Sequence, residues 1–312
     1  MLDSTEIIEL RSEKNEVRPD RPYHFMHEQE RGDDGELKEV NAIFLTNSEC
    51  PFKCVMCDLW KNTLEQPVEE GAIPGQISYA LERLPKARVI KLYNNGNFFD
   101  RKAIPYSDYQ PIADLLTGSE RVIIENHPKL CGEACLEFQE MLEGQLEIAM
   151  GLETIHPDVL PKLNKKITTD DFREAAVFLT DNGIDSRAFI LLNPPYLTDP
   201  DKNIEWTVKS LRYAFDCGVS ACSIIPTRDG NGAMEKLRDE GLYVPPAISA
   251  LEEAFNKGLA VNKGRVFVDL WDLERFSTCA HCFEKRKDRL HAMNLNQKIL
   301  PPVKCEYCDN DG

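Results

Sequence analysis

Short runs of β-branched and apolar residues recur along the chain at 42–46, 89–93, 122–125, 146–151, 188–192, 222–227 and 265–270. Between them the apolar positions fall at helical spacing. Phe172, Ala175, Ala176 and Leu179 lie on one helical face, Thr168 with Asp171 forms a capping box before them, and Asn182-Gly183 supplies a left-handed stop. The stretch 203–217 behaves in the same way and ends before Gly218. Strand followed by helix followed by strand predicts an α/β fold of parallel units, either a barrel or a doubly wound sheet, and the periodicity does not choose between them. There is no internal repeat and no low-complexity tract.

Residues 1–40 are charged and lack apolar periodicity, so they read as an extension that is mobile or wraps the domain. The core is expected over 41–274, with a small extension over 275–312. A chain of 312 residues suits one large unit with such attachments. With 42% hydrophobic and 29% charged residues, its composition is that of a folded protein. No apolar run approaches the roughly 18 to 20 residues of a membrane span. Asp3, Glu6 and Glu9 are unlike a secretory leader, and a cytoplasmic location is expected.

Thirty-seven basic residues against 53 acidic ones leave a formal charge of −16. That excludes gripping of a phosphate backbone by the whole surface, so any nucleic acid is met locally or through a partner. The eleven cysteines are mostly in tight groups, which in such a chain points to metal sooner than to disulfides. Cys131, Cys135, Cys217 and Cys222 stand apart and read as buried small hydrophobes.

Directly after the first predicted strand, Cys50, Cys54 and Cys57 have C-x3-C-x2-C spacing. Three thiolates on one loop hold three irons of a [4Fe–4S] cube and leave the fourth open, whereas a zinc site wants a fourth ligand close by. The spacing resembles the signature of radical S-adenosylmethionine (SAM) enzymes, and the resemblance runs to about residue 227. It implies a partial (β/α)6 TIM barrel with the cluster at the C-terminal ends of its strands. It also implies SAM chelated to the open iron, and a reductant such as flavodoxin or ferredoxin. An electron then cleaves SAM to methionine and a 5′-deoxyadenosyl radical that takes hydrogen from a substrate.

The resemblance extends to the strand ends. Asn94-Asn95-Gly96 stands where the superfamily has a Gly-Gly-Glu-like turn that receives the SAM amino group, although no acidic residue is present. Glu125 in Glu125-Asn126-His127-Pro128 and Glu153 in Gly151-Leu152-Glu153-Thr154 look like motifs of coproporphyrinogen dehydrogenases and their elongator-like relatives. By that match Glu125 and Glu153 hydrogen-bond the SAM ribose or amino group, and Lys165 pairs with its carboxylate. Segments around Lys91-Leu92-Tyr93, Leu192-Asn193-Pro194 and Glu240-Gly241-Leu242 resemble the radical SAM subunit of archaeosine synthase, which modifies a deazaguanine in transfer RNA beside an RNA-binding partner. The substrates to weigh are therefore RNA-borne, peptide or small-molecule, with a partner subunit in the first case.

Cys279-x2-Cys282 and Cys305-x2-Cys308, separated by 22 residues, suit either structural zinc or a second, fully ligated [4Fe–4S] cluster, and the cluster is preferred. Between the pairs, Lys285, Arg286, Lys287 and Arg289 read as a solvated helix face and as the best local contact for RNA or an acidic partner. At the rim expected of a barrel, Arg228 is the candidate catalytic-site anchor for a substrate carboxylate or phosphate, against the plainer reading of a salt bridge with Asp229. From another class of function, the rival is a non-catalytic zinc-binding interaction protein.

Overall fold

In the computed structural model, which describes residues 1–308, a single eight-stranded sheet runs in strict chain order. Strand β1 (His24–Arg31) pairs antiparallel with β2 (Leu37–Phe44). Then β3 (Val89–Tyr93), β4 (Arg121–Glu125), β5 (Gln145–Glu153), β6 (Asp185–Leu192), β7 (Ala221–Pro226) and β8 (Arg265–Val268) follow, each parallel to the one before. A doubly wound sheet reverses its order at a switch point, and this one does not, so the choice falls to the partial barrel. Six strand-then-helix units, β2 to β7, carry the helices α2 (Ala72–Leu81), α3 (Tyr109–Leu115), α4 (Glu133–Met141), α5 (Thr169–Asp181), α6 (Pro200–Asp216), and the pair α7 (Ala233–Asp239) and α8 (Ile248–Leu259).

The seven expected strands are all present, with small differences at their ends. β8 stops at Val268, short of 270, because the Asp269 carboxylate turns to accept the Trp271 amide at 2.9 Å. In α5 the Thr168–Asp171 capping box forms, and Gly183 takes the left-handed conformation at φ +71°.

Part of the stretch 1–40 belongs to the sheet, as β1 and the start of β2, and β1 is a strand that hydrophobic pattern does not reveal. β1 reads His-Phe-Met-His-Glu-Gln-Glu-Arg, polar on the face that meets other charges, so the usual alternation is missing. Ahead of it, α1 (Ser4–Glu9) is capped by an Asp3–Glu6 box, and Leu2 and Ile7 pack with Val55, Met234 and Tyr243 over the mouth of the barrel.

Outward-facing strand residues such as Ile43, Leu92, Ile124, Ile148, Ile190 and Ile224 form the main core with Ile77, Phe138, Phe172, Leu211 and Phe255 of the helices. Cys135, Cys217 and Cys222 belong to that core, as small hydrophobes do. Inside the barrel, Val40, Val89, Ile123 and Ala149 make a second, small cluster.

Below it lies a plug of charge. Glu30 of β1 meets Lys91 of β3 at 2.7 Å and Arg187 of β6 at 2.5 Å. Fully buried Glu147 of β5 meets Arg187 at 2.7 Å and Arg121 at 3.0 Å. β1 and β6 are five strands apart, about 24 Å in a flat sheet at ordinary strand spacing, so their direct contact requires the sheet to curl. Burial alone would push the Glu30 and Glu147 carboxyls up, but Arg187 with Lys91, and Arg187 with Arg265 and Arg121, hold them well below the usual range.

Carboxylates held below their unfolded values contribute stability that is present above the unfolded value of about 4.5 and is lost as pH falls toward the folded ones. The barrel is therefore expected to be acid-labile. Arg187→Met, which leaves two buried carboxylates short of a partner, should cost about 3–5 kcal/mol in urea unfolding at pH 7. A loss under about 1 kcal/mol would mean that other groups hold the curl.

Candidate active site at the barrel mouth

Cys50, Cys54 and Cys57 lie on the loop that leaves the C-terminal end of β2, before the short 3-10 turn Leu59–Asn62. The loop is gripped by three asparagines from three different strand ends. Asn97, after β3, donates to Cys50 Sγ at 3.2 Å. Asn164, after β5, donates to the Lys53 carbonyl at 2.7 Å, and Asn231, after β7, donates to the carbonyls of Val55 at 2.8 Å and Cys57 at 3.1 Å. Phe52 stacks flat on the His127 ring with centroids 3.7 Å apart. From the N-terminal segment, Arg11 pairs at 2.7 Å with Glu49, which also holds Lys53.

The buried thiols are not ionised by their surroundings alone. Burial pushes Cys54 up to about 11, with Lys165 drawing it back, so a thiolate here needs a cation to stabilise it. Among the described residues, four metal-type side chains that converge within 4.8 Å occur in the C-terminal extension and not here. Three thiols on one loop suit a cube held at three corners better than a single ion, which wants a fourth ligand.

The two predicted carboxylates have opposite surroundings. Glu153 faces Lys165 at 2.8 Å, with both side chains buried. It sits at a break in the β5–β6 register with φ +66°, a strained conformation for a glutamate. Glu125, at the end of β4, is half-buried and accepts a backbone N–H from Asn94 at 3.4 Å, and burial pushes its carboxyl up to about 7 against the pull of Lys165. Beside it, Asn94 is fully buried, and neither its side-chain oxygen nor its nitrogen has a partner. Thr46 Oγ1 and Asn47 Oδ1, on the adjoining end of β2, are also buried without partners. Orphaned polar atoms in such a place fit a polar ligand that supplies what the chain does not.

Other predicted residues are committed within the protein. The Asn95 side chain accepts from Tyr23 Oη at 2.8 Å and donates to the Asn62 carbonyl at 3.3 Å. Gly96 lies against Cys50, with room for the close approach of the two backbones. His127 accepts from the Lys129 amide and donates to the Lys165 carbonyl at 3.0 Å, and burial next to Lys165 pushes it down to about 3, so it is neutral. Arg228 does not pair with Asp229. Its Nη2 meets Asp269 at 2.8 Å and the Trp271 carbonyl, while Asp229 is held by Arg238 and Arg275. Its Nε is buried without a partner.

No protein-family model matches the chain. The archaeosine synthase subunit beta of Methanosarcina acetivorans is 23% identical over 223 residues, covering 67% of this chain and 62% of that protein. The subunit of the same name from Thermococcus kodakarensis is 27% identical over 157 residues, covering 47% and 48%. The chain thus spans less than two thirds of the curated relatives it matches. Among solved structures, the archaeal Elp3 of Methanocaldococcus infernus with its N-terminus deleted superposes with a TM-score of 0.54 at 16% identity, over 70% of this chain and 59% of that one.

The chain is thus similar in sequence to archaeosine synthase beta subunits and in fold to the archaeal Elp3. The half-barrel expected from the sequence is present, and the three-cysteine loop lies at its mouth. Sequence reasoning did not give Asn164 and Asn231 the role of tying the three-cysteine loop. Asn231 lies in a Gly-rich turn after β7, so its position at a strand end was the available signal.

A Cβ at Gly151 would overlap Glu153 Oε1 and Lys165 Nζ, so a side chain there must displace that pair. Gly151→Ala is expected to break that pair and cost about 1–3 kcal/mol of stability. A thermal midpoint equal to that of the parent would overturn the assignment.

Proposed function

We propose that the chain is a radical SAM enzyme in which Cys50, Cys54 and Cys57 hold a [4Fe–4S] cluster and the adjoining strand ends hold SAM. The observation that carries the reading is the Glu125 carboxyl, which has no ion-pair partner among the described residues and is raised by burial, beside the unpartnered amide of Asn94. SAM carries a sulfonium, which offers the positive charge Glu125 lacks, and an amino group, neutral where it ligates iron, whose N–H groups are donors for Asn94. Lys165, raised by Glu153 against the effect of burial, stays protonated and can attract the SAM carboxylate. Asn95 and Gly96 contribute through the turn they build rather than through side-chain contacts. When bound, cluster and cofactor supply a reductive cleavage that yields a hydrogen-abstracting radical, with a ferredoxin- or flavodoxin-like donor as the electron source. The chain's own residues bind, orient and exclude water.

Arg228 is proposed as the anchor for a carboxylate or phosphate of the substrate, with Asp269 fixing its plane. Arg228→Ala should leave SAM affinity unchanged while substrate turnover falls about a hundredfold or more. Parallel loss of both would sink the role.

The relatives' name supports an RNA-borne substrate and a second subunit, and the charge of −16 favours a partner that provides the RNA-binding surface. The nucleosides of total transfer RNA from cells with and without the gene decide this by mass spectrometry. Loss of one modified nucleoside supports the reading, and an unchanged inventory turns the search to peptides or small molecules.

After anaerobic reconstitution, the parent should release 5′-deoxyadenosine from SAM under reductant, and the Cys50, Cys54, Cys57→Ala triple variant should release none. A zinc-bound loop with no SAM cleavage would instead identify an interaction protein. Because Glu125 is neutral below about 7 and charged above it, SAM affinity should rise about tenfold from pH 6 to pH 8. Binding should then release a proton, visible by calorimetry in buffers of different ionisation heat. A pH-independent affinity, or a Glu125→Gln variant with the parent's profile, would remove Glu125 from the site.

A further inference from the structure

We propose that Cys279, Cys282, Cys305 and Cys308 hold one tetrahedral zinc ion, not a second iron–sulfur cluster, and that this ion fastens the last helix across the open edge of the barrel. The four sulfurs lie within 4.8 Å of one another, with Cys279 to Cys305 at 3.8 Å and Cys282 to Cys308 at 3.7 Å. A tetrahedron with zinc–sulfur bonds of about 2.3 Å has edges of about 3.8 Å. A [4Fe–4S] cube places four irons and four sulfides between its thiolates and holds them much further apart. The space between these sulfurs therefore fits one ion, and four thiolates in this arrangement suit zinc.

The surroundings are those of a structural site. Arg286 donates to Cys282 Sγ at 3.3 Å and pairs with Glu252 of α8, which offsets the excess negative charge of four thiolates on a divalent ion. One residue from each knuckle, His281 and Tyr307, stack with centroids 3.9 Å apart and planes 9° apart, closing the two knuckles over each other. Helix α9 (Phe283–Asn296) starts at once, with Cys282 as its N-cap residue. Of the basic residues between the cysteine pairs, Arg286 and Arg289 turn inward to Glu252, so that stretch is only in part a solvated face.

The far end of α9 does what a ninth strand would do. The Asn294 side chain exchanges two hydrogen bonds with the backbone of Val268, both at 2.9 Å, and the Gln297 side chain does the same with Val266, both at 2.8 Å. These are the ladder positions on the free edge of β8. The Leu295 carbonyl accepts from Arg31 at the end of β1, so α9 also bridges the first and last strands. Arg289 holds the returning segment through the carbonyls of Leu300 and Pro301. With the metal in place both ends of α9 are fixed, and with it the end of β8 from which Asp269 reaches Arg228.

The inference is independent of the chemistry at the barrel mouth, and the test keeps the two apart. Metal analysis of the full chain should find one zinc that persists in the Cys50, Cys54, Cys57→Ala variant and is lost in the Cys279, Cys282, Cys305, Cys308→Ala variant. Iron and sulfide remaining in the first variant would overturn the proposal, and a single iron in place of zinc would overturn the choice of metal. Because the second variant risks misfolding, the parent grown with cobalt provides a separate reading. A mononuclear tetrathiolate gives the intense visible bands of tetrahedral cobalt, and their absence counts against the site. In the full chain stripped of zinc by a chelator, the amides of Val266 and Val268 should exchange with deuterium about tenfold faster or more, while those of β4 and β5 keep their rates. Unchanged exchange at β8 would overturn the fastening role.

Discussion

The carboxylate of Glu30, on the first strand, lies against the guanidinium of Arg187, on the sixth, and the curl of the sheet follows from that contact. An open sheet in sequential order has no intrinsic reason to close, since its strands pair only with their neighbours. A cross-barrel ion pair supplies one, and its position at the N-terminal ends of the strands leaves the opposite end free for binding residues. The cost of burying such charges is met by mutual satisfaction. Glu30, Glu147, Lys91, Arg121 and Arg187 share at least two partners each, which a single buried pair does not achieve.

At the mouth the same physics is used in reverse. Glu153 is paired with Lys165 at 2.8 Å, while Glu125 has no ion-pair partner among the described residues and burial pushes its carboxyl up to about 7. A carboxyl satisfied within the fold contributes rigidity. One left unsatisfied contributes affinity, because a cationic ligand recovers the electrostatic energy that folding withheld. The difference between the two strand ends is thus a division between positioning and binding, and Gly151 makes it possible by leaving space for the Glu153–Lys165 pair.

How much of this is legible in the sequence depends on how local each signal is. The parallel strands and the Thr168 cap are local, carried by apolar runs and by residues three apart, and they stand where the pattern puts them. The three-cysteine loop is local too. β1 is not, because its inward residues are Glu28 and Glu30, whose partners lie 63 and 157 residues away, and a strand that faces charge has no hydrophobic alternation. The same holds for Arg228, whose neighbour in sequence, Asp229, is taken by Arg238 and Arg275, leaving Asp269 to pair with it. Adjacent side chains on an extended segment point to opposite sides, so proximity in sequence was the wrong guide. Asn164 and Asn231 were invisible for a related reason, since an asparagine that ties a loop looks like any turn asparagine until the loop is in place.

The two sets of cysteines make the point about geometry most directly. Both consist of thiols at short spacings, and the spacing alone allows iron–sulfur chemistry at either. What separates them is their surroundings. The tail sulfurs meet at the edge length of a tetrahedron, whereas the loop offers three thiols beside a mouth with unpartnered polar atoms. A zinc ion has no accessible redox change, so it can fasten α9 close to the substrate rim without diverting electrons from the cluster site. The seam of a partial barrel is its mechanically weakest line, because β1 and β8 do not pair. Closing it with side-chain amides from a metal-anchored helix, rather than with another strand, keeps the C-terminal end of β8 fixed while leaving the mouth open to a large substrate.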